Sequence, residues 1–195
     1  MFFTAALALS ASLSALSPDS AQSRDSLRIP FGRSVLLDGN VRPAEWADAR
    51  VVQLSSGARL LLKHDSTYLY VAVAPSAPRI FGLNLYIAPN EGAAPYLNLH
   101  ASAKLGERWG RSGAWPDWQW WNNRDWSANV VRFNAFEEPR FLPEVGKEVQ
   151  IAITRLPGSR FRLALDVETA TGTELPLDQG AIADGMRWLT LQLAP

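Results

Sequence analysis

Cysteine is absent from the 195-residue chain. That absence excludes disulfide frameworks, thiolate metal sites, cysteine nucleophiles and a lipid-modified export cysteine. Lysine is scarce, with Lys63, Lys104 and Lys147 alone, and His64 and His100 are the two histidines. Neither sign of charge prevails: 19 basic residues balance 19 acidic ones, for a net charge of zero. A nucleic-acid binder needs a basic excess against phosphate, and a surface held to anionic lipid needs polybasic charge, so neither class fits. No apolar run reaches the ~18 residues of a membrane-spanning helix. Zincin and phosphate-loop motifs are missing, and Gly110-Arg111-Ser112-Gly113 lacks the spacing of a nucleophile elbow.

The apolar share is 47%, which suits a globular chain and not a disordered one. Residues 2–16 form a short uncharged apolar stretch, broken by Pro18 and followed by Ala21-Gln22-Ser23. This pattern matches a signal peptide over residues 1–23. The expectation is therefore a secreted or periplasmic protein, with one domain over residues 24–195.

Period-2 alternation runs through that domain. Leu69, Val71 and Val73 alternate with Tyr68, Tyr70 and Ala72, and Phe81, Leu83, Leu85 and Ile87 with Gly82, Asn84 and Tyr86. Similar patterns cover Leu97–Lys104, Phe161–Glu168 and Trp188–Leu193, with further strands at Leu60–Lys63 and Val149–Ile153. Each puts one face on a core and the other outward. Asp65-Ser66, Pro89-Asn90-Glu91-Gly92 and Pro157-Gly158-Ser159 supply turns. The fold class expected is all-β, an antiparallel β-sandwich of jelly-roll-like form with one long Trp-rich loop. One helical turn is expected over Pro43–Ala49, where Pro43 suits a first helical position.

The stretch Leu37-Asp38-Gly39, then Glu45-Trp46, then the hairpin ending Tyr68–Val73 resembles the start of family 9 carbohydrate-binding modules, within the wider group of DOMON-like sandwiches. Asn84–Pro89 is similar to the family's central strand. Val149–Ile153 is similar to a later one, with Gln150 and Thr154 where the family has an acid and a proline. The likeness spans about residues 33–194. It implies two packed antiparallel sheets and non-catalytic sugar binding, while other members of the superfamily bind haem. Asp38, Gly39 and Trp46 carry the motif and are read as structural, with Trp46 plugging one end of the sandwich.

Tryptophan is the abundant residue. Six of the eight fall between Trp109 and Trp126, inside Gly106–Ser127, a segment without strand alternation. So long a loop in a compact domain tends to be functional. One reading is a flap whose indoles pack on each other and on a sheet. The other is a sugar platform, in which an indole covers the C–H face of a pyranose while nearby polar groups bond its hydroxyls. Trp109, Trp115, Trp118 and Trp120 are the candidate stacking residues, and Arg111, Asn122, Asn123 and Arg124 the hydroxyl binders, beside Asp117 and Gln119. If Trp118–Trp120 is extended, those two indoles share a face. Asn98, His100 and Trp188, with Tyr86, are the candidate floor.

Metal and catalysis have weaker support. Asp38, Glu45 and Asp65 are the candidate calcium ligands, but no dense acidic loop supplies six to eight oxygens. No cofactor is expected. Haem would need an axial pair such as His100 with Met186, which spacing does not favour. A glycosidase needs two facing carboxylates, and Glu107, Asp117, Asp125, Glu137 and Glu138 all lie near the flap. Three readings stay open: a non-catalytic binder of a neutral saccharide, an interaction protein docking an enzyme or cell-surface partner through the flap, and a small hydrolase.

Overall fold

The computed structural model describes residues 26–54, 57–74, 80–92, 95–111, 114–120, 125–129, 146–169, 172–174 and 188–195. The expected export segment, Trp121–Arg124, Glu137, Glu138 and Met186 lie outside these residues. Among the described residues no helix is long and apolar enough to cross a membrane.

The strands are β1 (Leu27–Ile29), β2 (Arg50–Gln53), β3 (Arg59–His64), β4 (Tyr68–Ala74), β5 (Ile80–Pro89), β6 (Tyr96–Ala101), β7 (Leu105–Gly110), β8 (Gln119–Trp120), β9 (Trp126–Ala128), β10 (Lys147–Ala152), β11 (Arg160–Thr169), β12 (Gly172–Glu174) and β13 (Leu189–Leu193). One 3-10 turn, Ile153–Arg155, follows β10. The larger sheet runs β1-β13-β11-β5-β6-β7-β8, with β12 beside β11, and the smaller runs β2-β3-β4-β10-β9. Among the described strands all pairings are antiparallel except β1 with β13, and a parallel bridge joins Phe31 to His64. The fold is thus the antiparallel-rich sandwich that alternation predicts.

The inward residues of that alternation form the core between the sheets. Leu60, Leu62, Leu69, Val71, Val73, Val149 and Ile151 of the smaller sheet meet Leu83, Leu85, Leu97, Leu99, Leu163 and Leu165 of the larger. At ~25 cal/mol per Å² of apolar area, this layer is the main source of stability.

Three local expectations change. The segment Gly106–Ser127 is not one loop: it contains most of β7, all of β8 and most of β9. Pro43–Ala49 forms consecutive turns and no helix; Glu45 and Trp46 both donate to the Arg42 carbonyl, but the i→i−4 ladder stops there. Trp46 does not plug an end of the sandwich. It lies on the outer face of the smaller sheet, packed with Leu61, Tyr70, Ala72 and Ala74.

Glu148 on β10 explains the Asp-Gly…Trp motif. Its buried carboxylate accepts from the backbone N–H of Asp38 (3.1 Å) and Gly39 (2.9 Å) and from Trp46 Nε1 (2.9 Å). Gly39 holds φ at 82°, a left-handed conformation that an L side chain rarely adopts. Burial pushes the Glu148 carboxyl up, and the three donors pull the other way. A Glu148→Gln substitution replaces one acceptor oxygen by an NH₂ facing donors. Urea unfolding should show a loss of about 1–3 kcal/mol, the cost of one unsatisfied buried group.

Candidate functional site

The site is built on the outer face of the larger sheet, and β7 organises it. Leu105, Glu107 and Trp109 point inward; Gly106, Arg108 and Gly110 point outward. The two glycines are seats. A Cβ on Gly106 would lie 2.8 Å from the Trp120 ring and 3.2 Å from Trp118, and one on Gly110 would lie 2.6 Å from Trp115. Between the seats, the Arg108 guanidinium sits 4.6 Å from the Trp115 ring centre and 4.0 Å from that of Trp118. Such cation–π contacts hold the three planes together. The Trp118 and Trp120 rings lie 5.6 Å apart at 33°, and Trp120 remains 41% exposed.

Beneath the indoles lies a row of three polar side chains in register, Asp166 (β11), Asn84 (β5) and His100 (β6), continued by Gly106 (β7) and Trp120 (β8). Asn84 Nδ2 donates to Asp166 Oδ1 and Glu168 Oε1 (3.3 Å), and the Tyr86 hydroxyl donates to Asp166 Oδ2 at 2.9 Å. His100 Nδ1 bonds Asn84 Oδ1 at 2.7 Å, and Nε2 bonds the Ser102 hydroxyl at 2.9 Å. An amide oxygen only accepts, so the imidazole proton is on Nδ1. His100 also packs against Trp118 and Trp120 at 5.5 and 5.8 Å.

The next row contains Ala164, Tyr86, Asn98 and Arg108. Small Ala88 and Ala164 make room for Trp188, which is buried with Tyr86, Tyr96 and Trp115. The Arg162 guanidinium lies 5.5 Å from the Trp188 ring centre. The outer face is therefore covered and polar at once, where alternation alone describes a solvated face. Among the described residues, both amide atoms of Asn98, Arg108 Nε and Trp188 Nε1 are buried without a hydrogen bond of acceptable geometry. The Tyr86 hydroxyl lies near Asn98 but is directed to Asp166. Each unmatched group costs about 1–3 kcal/mol.

Burial shifts the titrating groups here. It pushes the Asp166 carboxyl up, against the Asn84 and Tyr86 hydrogen bonds that lower it. Burial, with the Asp166 charge, raises the Tyr86 hydroxyl. Burial also holds His100 below the ordinary histidine value, although the Glu168 and Asp166 carboxylates oppose this. Asp166 and Glu168 share this face with Arg108, Arg162 and Lys104, whose Nζ lies 5.8 Å from the Trp120 ring centre.

The six clustered tryptophans divide. Trp115, Trp118 and Trp120 lie on the outer face with Trp188, Asn98 and His100. Trp109 points to the opposite side of β7 and is 48% exposed beside Arg155. Trp126 is a core residue on β9, donating from Nε1 to Glu107 Oε2 at 3.0 Å. Arg111 lies at an exposed bridge to Ala114, away from the polar rows. Trp121, Asn122, Asn123 and Arg124 lie outside the described residues. Of the acids proposed for catalysis, Glu107 and Asp125 both pair with Arg155, at 3.1 and 3.6 Å, and Asp117 is exposed, while Glu137 and Glu138 lie outside the described residues. The calcium candidates are engaged elsewhere. Asp38 and Glu45 pair with Arg42, and Asp65 caps a turn through Thr67, Tyr68 and Tyr70. Among the described residues no group of three His, Asp or Glu is placed to hold a metal ion. Sequence reasoning missed Asn84, Arg108, Asp166 and Glu168. The signal for Arg108 was available in the alternating Gly106-x-Arg108-x-Gly110.

No family model and no curated protein matches this chain. Two solved structures share its fold. One is a family 9 carbohydrate-binding module from Caldicellulosiruptor kristjanssonii in complex with cellotriose. It is 15% identical, with a TM-score of 0.52 over 87% of this chain and 93% of the module. The other is a "putative carbohydrate-binding protein" from Bacteroides uniformis. It is 12% identical, with a TM-score of 0.50 over 87% of this chain and 99% of that one. The chain thus has the fold of family 9 carbohydrate-binding modules.

Two outcomes follow. Gly106→Ala forces the Trp118–Trp120 pair off its seat and should cost about 1–3 kcal/mol by overpacking, with a loss of near-ultraviolet circular dichroism from the indoles. For His100, the folded value lies below the unfolded 6.5, so the unfolded chain takes up the proton first as the pH falls. His100 therefore contributes stability above pH 6.5 that declines on acidification until the folded imidazole itself titrates. Unfolding free energies measured between about pH 7.5 and 5 should fall more steeply for the natural protein than for His100→Gln.

Proposed function

We propose that this chain is an exported, non-catalytic binding domain for a neutral saccharide, held on the outer face of the larger sheet. The observation that carries the reading is the Trp118–Trp120 pair, half exposed, beside the Asp166–Asn84–His100 row. A pyranose offers a C–H face to an indole and hydroxyls to its rim. Trp120 supplies the stacking plane, while Glu168 and Ser102 supply acceptors at its edge and His100, bonded to Asn84 and Ser102, positions them. The fold shared with a module crystallised with cellotriose supports the same reading.

The placement of Asp166 and Glu168 supports binding without catalysis. Asp166 and Glu168 are two residues apart on one strand, and both accept from Asn84 Nδ2. A glycosidase places its carboxylates on either side of the scissile bond; these two approach a ligand from the same side. No metal is invoked.

Isothermal titration and tryptophan fluorescence against cello-oligosaccharides and a wider glycan panel test the proposal. Stacking on one indole buries ~100 Å², or roughly 2–3 kcal/mol. Trp120→Ala and Trp118→Ala should each weaken binding by roughly tenfold or more, whereas Trp109→Ala should leave it unchanged. No response to any sugar at millimolar concentration would overturn the reading.

A further inference from the structure

A second site lies on the opposite side of β7. Beside the end of β5, the start of β6 and Trp109 of β7 lies a pocket of about 220 Å³. Its floor is Ile87 and Leu97, residues otherwise sealed in the core. Three prolyl rings, Pro89, Pro95 and Pro157, form the walls, and the half-exposed Trp109 indole and Arg155 complete the lining. Arg155 is the charged residue of the lining, and its charge is already matched. Its Nη2 binds Glu107 Oε2 at 3.1 Å, and its Nη1 lies 3.6 Å from Asp125 Oδ2. Glu107 in turn is fixed by Trp126 Nε1 at 3.0 Å. The arginine is therefore a braced wall, with its guanidinium carbon 5.9 Å from the Trp109 ring centre, and not a free cation awaiting an anion.

We infer that this pocket binds a neutral aromatic ring. The size fits: an apolar cavity of about 150 Å³ accommodates benzene, so this one holds a substituted single ring. The lining fits as well, because prolyl C–H faces, an indole and a flat guanidinium all favour a π-face over an aliphatic body. A carboxylated ring is disfavoured, since Glu107 and Asp125 stand behind the arginine. The inference does not rest on the saccharide reading, because Trp109 and Trp120 project from opposite faces of the sheet.

Ligand-observed NMR and calorimetry on the full chain, with benzyl alcohol, cyclohexylmethanol and benzoate as probes, test this. Benzyl alcohol should bind saturably in the millimolar range, roughly two- to tenfold more tightly than cyclohexylmethanol, and benzoate most weakly. Trp109→Ala should weaken benzyl alcohol at least roughly fivefold, and Trp109→Phe should restore it. Trp109 is half exposed, so both variants should fold, which circular dichroism and a thermal melt check. Saccharide titration is run in parallel, so loss of sugar binding with aryl binding intact counts against the other site alone. No saturation by benzyl alcohol, equal binding of cyclohexylmethanol, or an unaltered affinity in Trp109→Ala would each overturn the inference.

Discussion

A guanidinium clamped between two indoles is the contact on which the outer face depends. Arg108 lies between Trp115 and Trp118, and that placement exists because glycines flank it at the two neighbouring outward positions of β7. With larger residues there, the indoles would stand off the sheet, and the polar row beneath them would meet bulk water. With the glycines present, Asn84, Asn98 and Asp166 are nearly excluded from solvent while Trp120 stays 41% exposed. Hydrogen bonds and charges act more strongly in such surroundings than in water. The same covering raises the Asp166 carboxyl and lowers His100.

The two sheets treat their outer faces in parallel ways. On the smaller, Trp46 covers Leu61, Tyr70, Ala72 and Ala74, and the buried Glu148 carboxylate ties it to the Asp38-Gly39 turn. On the larger, four indoles cover Tyr86, Asn98 and His100. The first cover is satisfied throughout its hydrogen bonds to Glu148. The second leaves the Asn98 amide, Arg108 Nε and Trp188 Nε1 unmatched among the described residues. The first cover is closed, with Trp46 buried, whereas the second leaves Trp120 41% exposed, though both are built from tryptophan on a sheet.

Alternation made the inter-sheet core legible residue by residue, because burial of one strand face is a local pattern. The Asp-Gly…Trp motif was legible as structural, but its partner Glu148 lies over a hundred residues away and gives no local signal. The concentration of tryptophans marked the right region and mixed three environments within it. Trp109 and Trp120 differ in face because β7 and β8 are strands, which the lack of hydrophobic alternation concealed. Asp166 and Glu168 read as ordinary outward residues until strand order brought β11 beside β5.

What the sequence by itself determined is the inward set of side chains, the turns and the stock of indoles. Each follows from the period of two along a strand or from composition. Tertiary structure alone decided which side chains meet across strands, and so the Asp166–Asn84–His100 row, the seat of Trp120 on Gly106 and the pocket beside Trp109. The physical reason is that register and strand order come from pairings between segments far apart in the chain. Glu168 and Gly82, or Glu107 and Arg155, carry no mark of one another until the sheets close.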